Sequence, residues 1–379
     1  LPFLREVRQH LHQYPELSFR EEKTMVFLSE MLRKAGIAHK TGIGGTGITG
    51  EFNGREAGKR VVLLRADMDA LPVQEENDVL YRSRHEGVMH ACGHDVHSAS
   101  LLGALIILHR LKAEWTGTVR FVFQPGEEKL PGGALDMIRA GILKNPAPVA
   151  AIAQHVFPGL PVGTIGFGEG PYMASADELY FTVRGKGGHA AQPEKTINPL
   201  TAASHLLLQL DQINRETGPE GQPFVLSVGK MNAPGATNVI PETVELEGTV
   251  RTFDEAWRKQ VHALIEEKVA ATDRLYGTTT EYEIRKGYPV LVNDPALTGR
   301  LRKAAEEYLG RESVESLPLR LTSEDFGWYA QQVPGCFYRL GTASAGSGYQ
   351  AGLHSPRFDI DENALSVGAG LMAWLALHG

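Results

Sequence analysis

The sequence predicts an α/β protein built on a mainly parallel sheet, with a smaller α+β domain inserted in it. Three observations carry this. The short apolar runs Val61–Leu64, Val119–Phe123 and Val149–Ala153 read as strands buried on both faces. Helical patterns alternate with them, notably Val96–Leu111 and Ala134–Ala140, and strand alternating with helix implies parallel pairing. From about Asp177 the texture changes, and it returns only after about residue 286.

In order along the chain, Leu4, Val7 and Leu11 recur at helical spacing and predict an opening helix that ends near Tyr14–Pro15. A second helix is expected from Glu21 to Lys34, stopped by Gly36. The Gly-rich stretch Gly42–Gly50 lacks the lysine of a phosphate-binding loop and reads as turns feeding a strand. The Leu101–Leu108 run lies inside an amphipathic pattern and is too short to cross a membrane.

In the changed region Leu179, Phe181 and Val183 alternate with polar neighbours, the mark of a half-buried strand. A helix over Asn198–Ile213 follows, then strands at Phe224–Val228 and Val244–Val250. Next come a helix with Trp257, Val261, Leu264, Ile265 and Val269 on one stripe and a strand at Tyr282–Ile284. The order β-α-β-β-α-β is that of a ferredoxin-like unit. The chain then resumes the first texture with a helix near Leu297–Leu309, a strand at Phe337–Leu340 and a closing helix over Glu362–Leu377. The expected division is 1–175 and 287–379 for the larger domain and 176–286 for the insertion. No repeat is visible, and turns such as Ala343–Gly348 are short.

Composition narrows the function classes. A chain of 379 residues allows two or three domains, and 42% hydrophobic with 22% charged residues is ordinary for a globular enzyme with a sizeable core. A net charge of -7 argues against a general nucleic-acid binder, and no run of membrane-spanning length is present. Two cysteines, Cys92 and Cys336, make no disulfide framework, so a reducing, cytoplasmic setting is expected. The start at Leu1 rather than Met leaves room for a preceding segment, a removed targeting peptide included.

The densest chemistry lies in Met89-His90-Ala91-Cys92-Gly93-His94-Asp95-Val96-His97. Thiolate and imidazole are good ligands for zinc and its neighbours, and Gly93 permits a tight turn between two of them. Incidental histidines at a helix start capped by Asp95 are the plainer alternative, but a cluster this dense rarely lacks a metal role. Glu127-Glu128 follows the Val119–Phe123 strand. Alone it reads as a solvated acidic turn; at a strand end one carboxylate could bind metal and the other move protons. His155 follows Val149–Ala153, and Asp67 and Asp69 follow Val61–Leu64. Such residues are more often structural, but parallel sheets build their sites at the C-terminal ends of strands, and three strands deliver there. His354, in the loop after Phe337–Leu340, is weak by itself. So are His189 in Gly187-Gly188-His189-Ala190, Asn238 and Arg251. The last two could bind a substrate carboxylate or merely cap and pair.

These segments, with His12-Gln13-Tyr14-Pro15-Glu16-Leu17-Ser18, Arg65 to Pro72 and Leu353-His354-Ser355, resemble the M20 metallopeptidase family in its aminoacylase and hippurate-hydrolase-like branch. The likeness spans nearly the whole chain. It implies a zinc-peptidase-like catalytic domain and an inserted dimerisation or lid domain. It further implies metal ligands at Cys92, His94, Glu128, His155 and His354 for two divalent ions per subunit, zinc or manganese before nickel or cobalt. Glu127 matches the general base, and His189 the histidine that reaches the partner subunit's site. Asp67 and Asp69 stand where other branches have a metal-binding histidine and its orienting aspartate. Here they are expected, with Asp95, to support the ligands rather than bind, and His97 likewise. The implied activity is hydrolysis of small N-acyl amino acids by a homodimer or larger homo-oligomer, with no nucleic acid or membrane partner. A dipeptidase or carboxypeptidase using the same centre is the alternative. A catalytically silent metal binder would need a missing base or ligand, and all are present. Pocket loops are expected at Phe157–Pro161, Glu169–Met173 and Ala343–Gln350, and Ser323–Phe326 either caps the next helix or shapes the site.

Overall fold

The apolar runs of the first texture become the middle of one sheet, because residues hydrophobic on both faces need cover on both. The computed structural model describes residues 1–56, 60–216, 223–344 and 351–379. Within these the chain divides into two compact units, Leu1–Tyr172 with Val292–Pro318 and Asp325–Gly379, and Met173–Leu291 with Leu319–Glu324.

Among the described residues the first unit holds an eight-stranded sheet. Its order is Lys40–Ile43, Gly47–Asn53, Thr118–Gln124, Val61–Asp67, Ala150–Pro161, Gly335–Ala343, Ile165–Phe167 and Val314–Ser316. The four central strands run parallel, with antiparallel strands flanking them. Register matters for the site. Asp67 pairs with Gln124, Arg65 with Ala153 and His155 with Arg339. The last residue of one strand, Asp67, therefore lies level with His155 on the next.

Helices Pro2–Gln13, His94–Arg110, Pro295–Leu309 and Ala364–His378 contribute to the core with Leu4, Leu11, Leu101, Leu105, Leu301 and Leu371. The His94–Arg110 helix differs from the amphipathic one expected: it is buried on every side from His94 to Leu105. It is sandwiched in the interior, which suits a helix apolar all round.

The second unit is a four-stranded antiparallel sheet in the order Val225–Asn232, Thr243–Arg251, Asp177–Arg184, Thr279–Lys286. Helices Pro199–Glu216 and Glu255–Tyr276 supply Leu206, Leu210, Val261 and Ile265 to a core with Leu179, Phe181 and Val183. The Asp254 side chain accepts the Trp257 N–H at the start of the second helix, and Gly277, at φ 69°, ends it.

Four local expectations are corrected. Gly42–Gly50 is mostly strand: Lys40–Ile43 and Gly47–Asn53 form a hairpin, and the turn is confined to Gly44, Gly45 and Thr46, with φ 62° and 103° at the glycines. His155 lies inside a strand that runs on to Pro161. Phe157–Pro161 and Gly170–Met173 are likewise strand rather than loop, while 345–350 of the third expected loop lie outside the described residues. Ser323–Phe326 does not cap: the Gly327–Ala330 helix has no side-chain cap, and Asp325 is drawn into the sheet's interior by Arg65 and Gln124.

Where the His94–Arg110 and Ala364–His378 helices touch, Gly103 leaves no room: a β-carbon there would lie 2.7 Å from the Ala369 Cβ and 3.0 Å from a Leu4 methyl. Gly103→Val is expected to force the helices apart at a cost of ~1–3 kcal/mol, read as a lower thermal unfolding midpoint.

Candidate metal centre

Each candidate ligand arrives on an element whose local sequence dictates its aim. Gly93 takes φ 80°, and a β-carbon there would meet Val156 at 2.5 Å. This left-handed turn swings the chain into the His94–Arg110 helix. It lets Cys92, before the helix, and His94, its first residue, approach one another. His155 comes from the neighbouring strand, Glu128 from the turn after Thr118–Gln124, and His354 from a loop where it holds φ 62°. A positive φ is costly for histidine, and its N–H donates to the Ala91 carbonyl at 2.8 Å, tying it back to the Cys92 segment.

The structure brings all five together. Cys92 Sγ lies 3.4 Å from His155 Nε2, His94 Nε2 3.7 Å from Glu128 Oε1, and His354 Nε2 3.4 Å from Glu128 Oε1. Two sets of donor atoms lie within 4.8 Å of one another, Cys92–His94–His155 and Cys92–Glu128–His354, and Cys92 belongs to both. Glu127 joins a third set with His94 and Glu128.

Neighbours settle how the rings face. His155 Nδ1 donates to the Val156 carbonyl at 2.8 Å, leaving Nε2 toward Cys92. His94 Nδ1 donates to Asp69 Oδ1 at 3.2 Å. Asp69's other oxygen accepts the Ser18 hydroxyl at 2.7 Å and the Glu128 N–H at 3.0 Å, so one carboxylate orients two candidate ligands. His97 is different. Its Nδ1 donates to Asp67 at 2.6 Å and its Nε2 accepts the Val156 N–H at 2.9 Å, so neither nitrogen is left for a metal. Asp67 also accepts Arg65 at 2.5 Å, and Arg65 reaches Asp325 at 2.7 Å and Gln124 at 3.0 Å. Asp95 touches none of the five; it accepts Arg8 and His12, both at 2.8 Å. His90 is buried and its ring is pushed down to about 4 by burial, so it stays neutral.

A divalent cation fits this donor set. His94 Nε2 and Glu128 Oε1 are buried with no hydrogen-bond partner, a costly arrangement unless something positive lies between them. Burial alone would lower the His94 pKa, but the facing Asp67, Asp69 and Glu128 carboxylates push it up to about 10. Burial, then Glu128 and Glu127, hold the Cys92 thiol well above its usual range. Burial and Arg339 hold His155 well below its own, neutral and ready to donate a lone pair. One thiolate, three imidazoles and a carboxylate suit zinc and its first-row neighbours.

In the second unit, the short strand Gly188–His189 pairs with Val239–Ile240, and the Ala190 N–H donates to the Asn238 carbonyl at 3.0 Å. Asn238 and His189 are thereby neighbours, both exposed. His189 Nδ1 accepts the Ala191 N–H at 3.1 Å, so its Nε2 carries the proton and faces outward. Arg251 ends its strand with Nη1 donating to Ser323 Oγ at 2.7 Å, which is what the Ser323–Phe326 segment does in this unit.

Sequence reasoning missed Arg65, Gln124 and Asp325 as the brace behind Asp67, and Arg8 behind Asp95. Arg65 was readable as the polar residue inside an otherwise apolar strand; the others carry no local signal.

Residues 63–378 match the model of peptidase family M20/M25/M40. N-acetyl-L-cysteine deacetylase of Bacillus subtilis is 39% identical over 95% of this chain and 84% of its own length. Thermostable carboxypeptidase 2 of Saccharolobus solfataricus is 37% identical over 98% and 94%. Among solved structures, the YXEP protein of Bacillus subtilis, described as a dinuclear metal binding peptidase from the M20 family, has a TM-score of 0.84. It is 34% identical, with 99% of this chain and 97% of that one covered.

At neutral pH His94 and Cys92 both hold protons in the metal-free chain, and a bound cation must displace them. Zinc or manganese affinity is therefore expected to rise with pH through the neutral range. About two protons should be released as the site fills, measured by calorimetry in buffers of different ionisation enthalpy.

Proposed function

Because the chain belongs to peptidase family M20/M25/M40, we propose that it is a metal-dependent amidohydrolase that cleaves N-acyl-L-amino acids. The acyl group is acetyl, benzoyl or similar, and the products are a carboxylic acid and a free amino acid. The observation that carries this reading is a buried carboxylate, Glu127, beside a donor set already complete without it. Cys92, His94, Glu128, His155 and His354 would hold two divalent cations, zinc or manganese before nickel or cobalt. Bound there, the cations supply Lewis acidity and make water acidic enough to lose a proton near neutral pH.

The chain's own residues do the rest. Glu127, with Oε2 3.9 Å from His94 Nε2, takes the proton of the attacking water and hands it to the departing amine nitrogen. The outward Nε2–H of His189 steadies the negative charge that grows on the carbonyl oxygen. Asn238 and Arg251 hold the substrate's carboxylate. Asp69 and Asp67 keep His94 and His97 in the tautomers their roles need. We assign His189 to the partner subunit's site in a homodimer formed through the second unit. The place of the Val225–Asn232 strand at the edge of its sheet among the described residues, with the exposed Leu208 and Met231, supports an interface there. Two free thiols favour a cytoplasmic setting.

The name of the deacetylase relative favours blocked amino acids as substrates, and that of the carboxypeptidase relative keeps peptides as a second reading. A panel of N-acyl amino acids and matched peptides, run metal-stripped and with zinc or manganese restored, separates the two. Metal-dependent cleavage confined to N-acyl amino acids is expected, and preference for peptides would transfer the assignment. Glu127→Gln is expected to keep both ions and lose ~10²–10⁴-fold in kcat; near-normal turnover would remove it as the base. Mixing Glu127→Gln with His189→Ala subunits should restore part of the activity, and no recovery despite demonstrated subunit exchange would rule out action in trans.

A further inference from the structure

We propose that Arg8, on the first helix of the chain, is a positioning residue of the metal centre, setting the separation between the segments that carry His94 and His354. The inference rests on the metal-binding reading of that centre. Arg8 lies on Pro2–Gln13 and is fully buried. Its Nε donates to Asp95 Oδ2 at 2.8 Å, and Asp95 directly follows His94. Its Nη2 donates to Asp359 Oδ1, also at 2.8 Å, at the far end of the loop that carries His354. Tyr81 completes the bracket. Arg8 stacks on its ring at 4.7 Å, and its hydroxyl donates to Asp359 Oδ2 at 2.7 Å.

The loop is held from its other side by separate bonds. His354 N–H meets the Ala91 carbonyl at 2.8 Å, and Pro356 and Phe358 carbonyls accept from Glu76 N–H and the Asn77 side chain at 2.8 and 2.9 Å. His354 sits at φ 62° between these ties. A strained backbone persists only where its surroundings over-determine it.

Stability alone does not explain an arginine here. Burying a guanidinium between carboxylates costs desolvation, and well-packed apolar residues serve stability as well or better. What the planar fork supplies is fixed geometry, because two of its N–H groups hold two carboxylates at one spacing. His12 completes the cluster from the same helix. Its two ring nitrogens face Asp95 at 2.8 Å and Glu75 at 3.2 Å, so Asp95 is held from two successive turns.

The test is a Co²⁺ titration of the metal-stripped full chain, followed by calorimetry and by the visible absorption of the bound ion, with the apo unfolding midpoint measured alongside. Asp359→Asn is expected to weaken one of the two ions by ~10–100-fold and leave the other within about threefold. Arg8→Met should weaken both and alter the absorption band. The double variant should be no worse than Arg8→Met alone, because both act through one link. A lowered midpoint with native affinity for both ions would make Arg8 merely structural and overturn the inference. If Arg8→Met does not fold, Asp359→Asn decides, since that carboxylate is partly exposed; unchanged affinity for both ions overturns it. A native chain that takes up no Co²⁺ overturns the metal-centre reading itself and Arg8's role with it.

Discussion

Carboxylates crowded into a buried site govern the rest of this structure. Asp67, Asp69 and Glu127 are buried and Glu128 nearly so, beside a buried thiol and two buried imidazoles. The permanent cation that faces Asp67 is Arg65, and Arg65 is shared with Asp325. Isolated charges in such surroundings are expensive, so the field must be met by protons or by metal. In the metal-free chain it is met by a proton held on His94 and by a thiol kept from ionising at Cys92. A divalent cation bound here would replace protons that the site already attracts.

The fold can be read as the means of keeping that crowd in place. Parallel register sets Asp67, Gln124 and His155 at one level of the sheet, and the buried His94–Arg110 helix starts just above them. Each imidazole then receives its task from its second nitrogen. His94 leans on Asp69 and His155 on a backbone carbonyl, which frees one nitrogen of each. His97 is held at both nitrogens and serves as a spacer between Asp67 and Val156. His94 and His97, three positions apart on one helix, thus have different fates, a distinction made by Asp69, Asp67 and Val156 elsewhere in the chain.

Legibility followed sequence distance. The alternation of apolar runs and helical stripes announced both the parallel sheet and the β-α-β-β-α-β insertion, because period and polarity are local properties. The strands Ile165–Phe167 and Val314–Ser316, at one side of the sheet, were not legible: each is three residues long, too short to show a period, and is fixed by pairing and by burying Ile165, Phe167 and Val314 in the core. The Gly42–Gly50 stretch reads as turns because glycine is a poor strand former, yet pairing with Thr118–Gln124 makes Gly47–Asn53 a strand. Ser323–Phe326 has the composition of a helix cap, but Asp325 finds better partners in Arg65 and Gln124, buried and charge-assisted, than a helix of four residues offers.

By itself the sequence determined which residue types were available and where they would enter. Cysteine and histidine stand on either side of a glycine, paired glutamates follow a buried strand, and lone histidines occur in or after others. Those are consequences of composition and period, which a chain carries without folding. Tertiary structure alone decided which of these donors meet and which are diverted. Behind the donors, further ties join Arg65 to Asp325, Arg8 to Asp359 and His12 to Glu75, across 260, 351 and 63 positions of chain. No local pattern encodes a hydrogen bond of that span. It exists only once packing has brought the strands and helices into register, and the cost of leaving a buried charge unpaired then selects the partner.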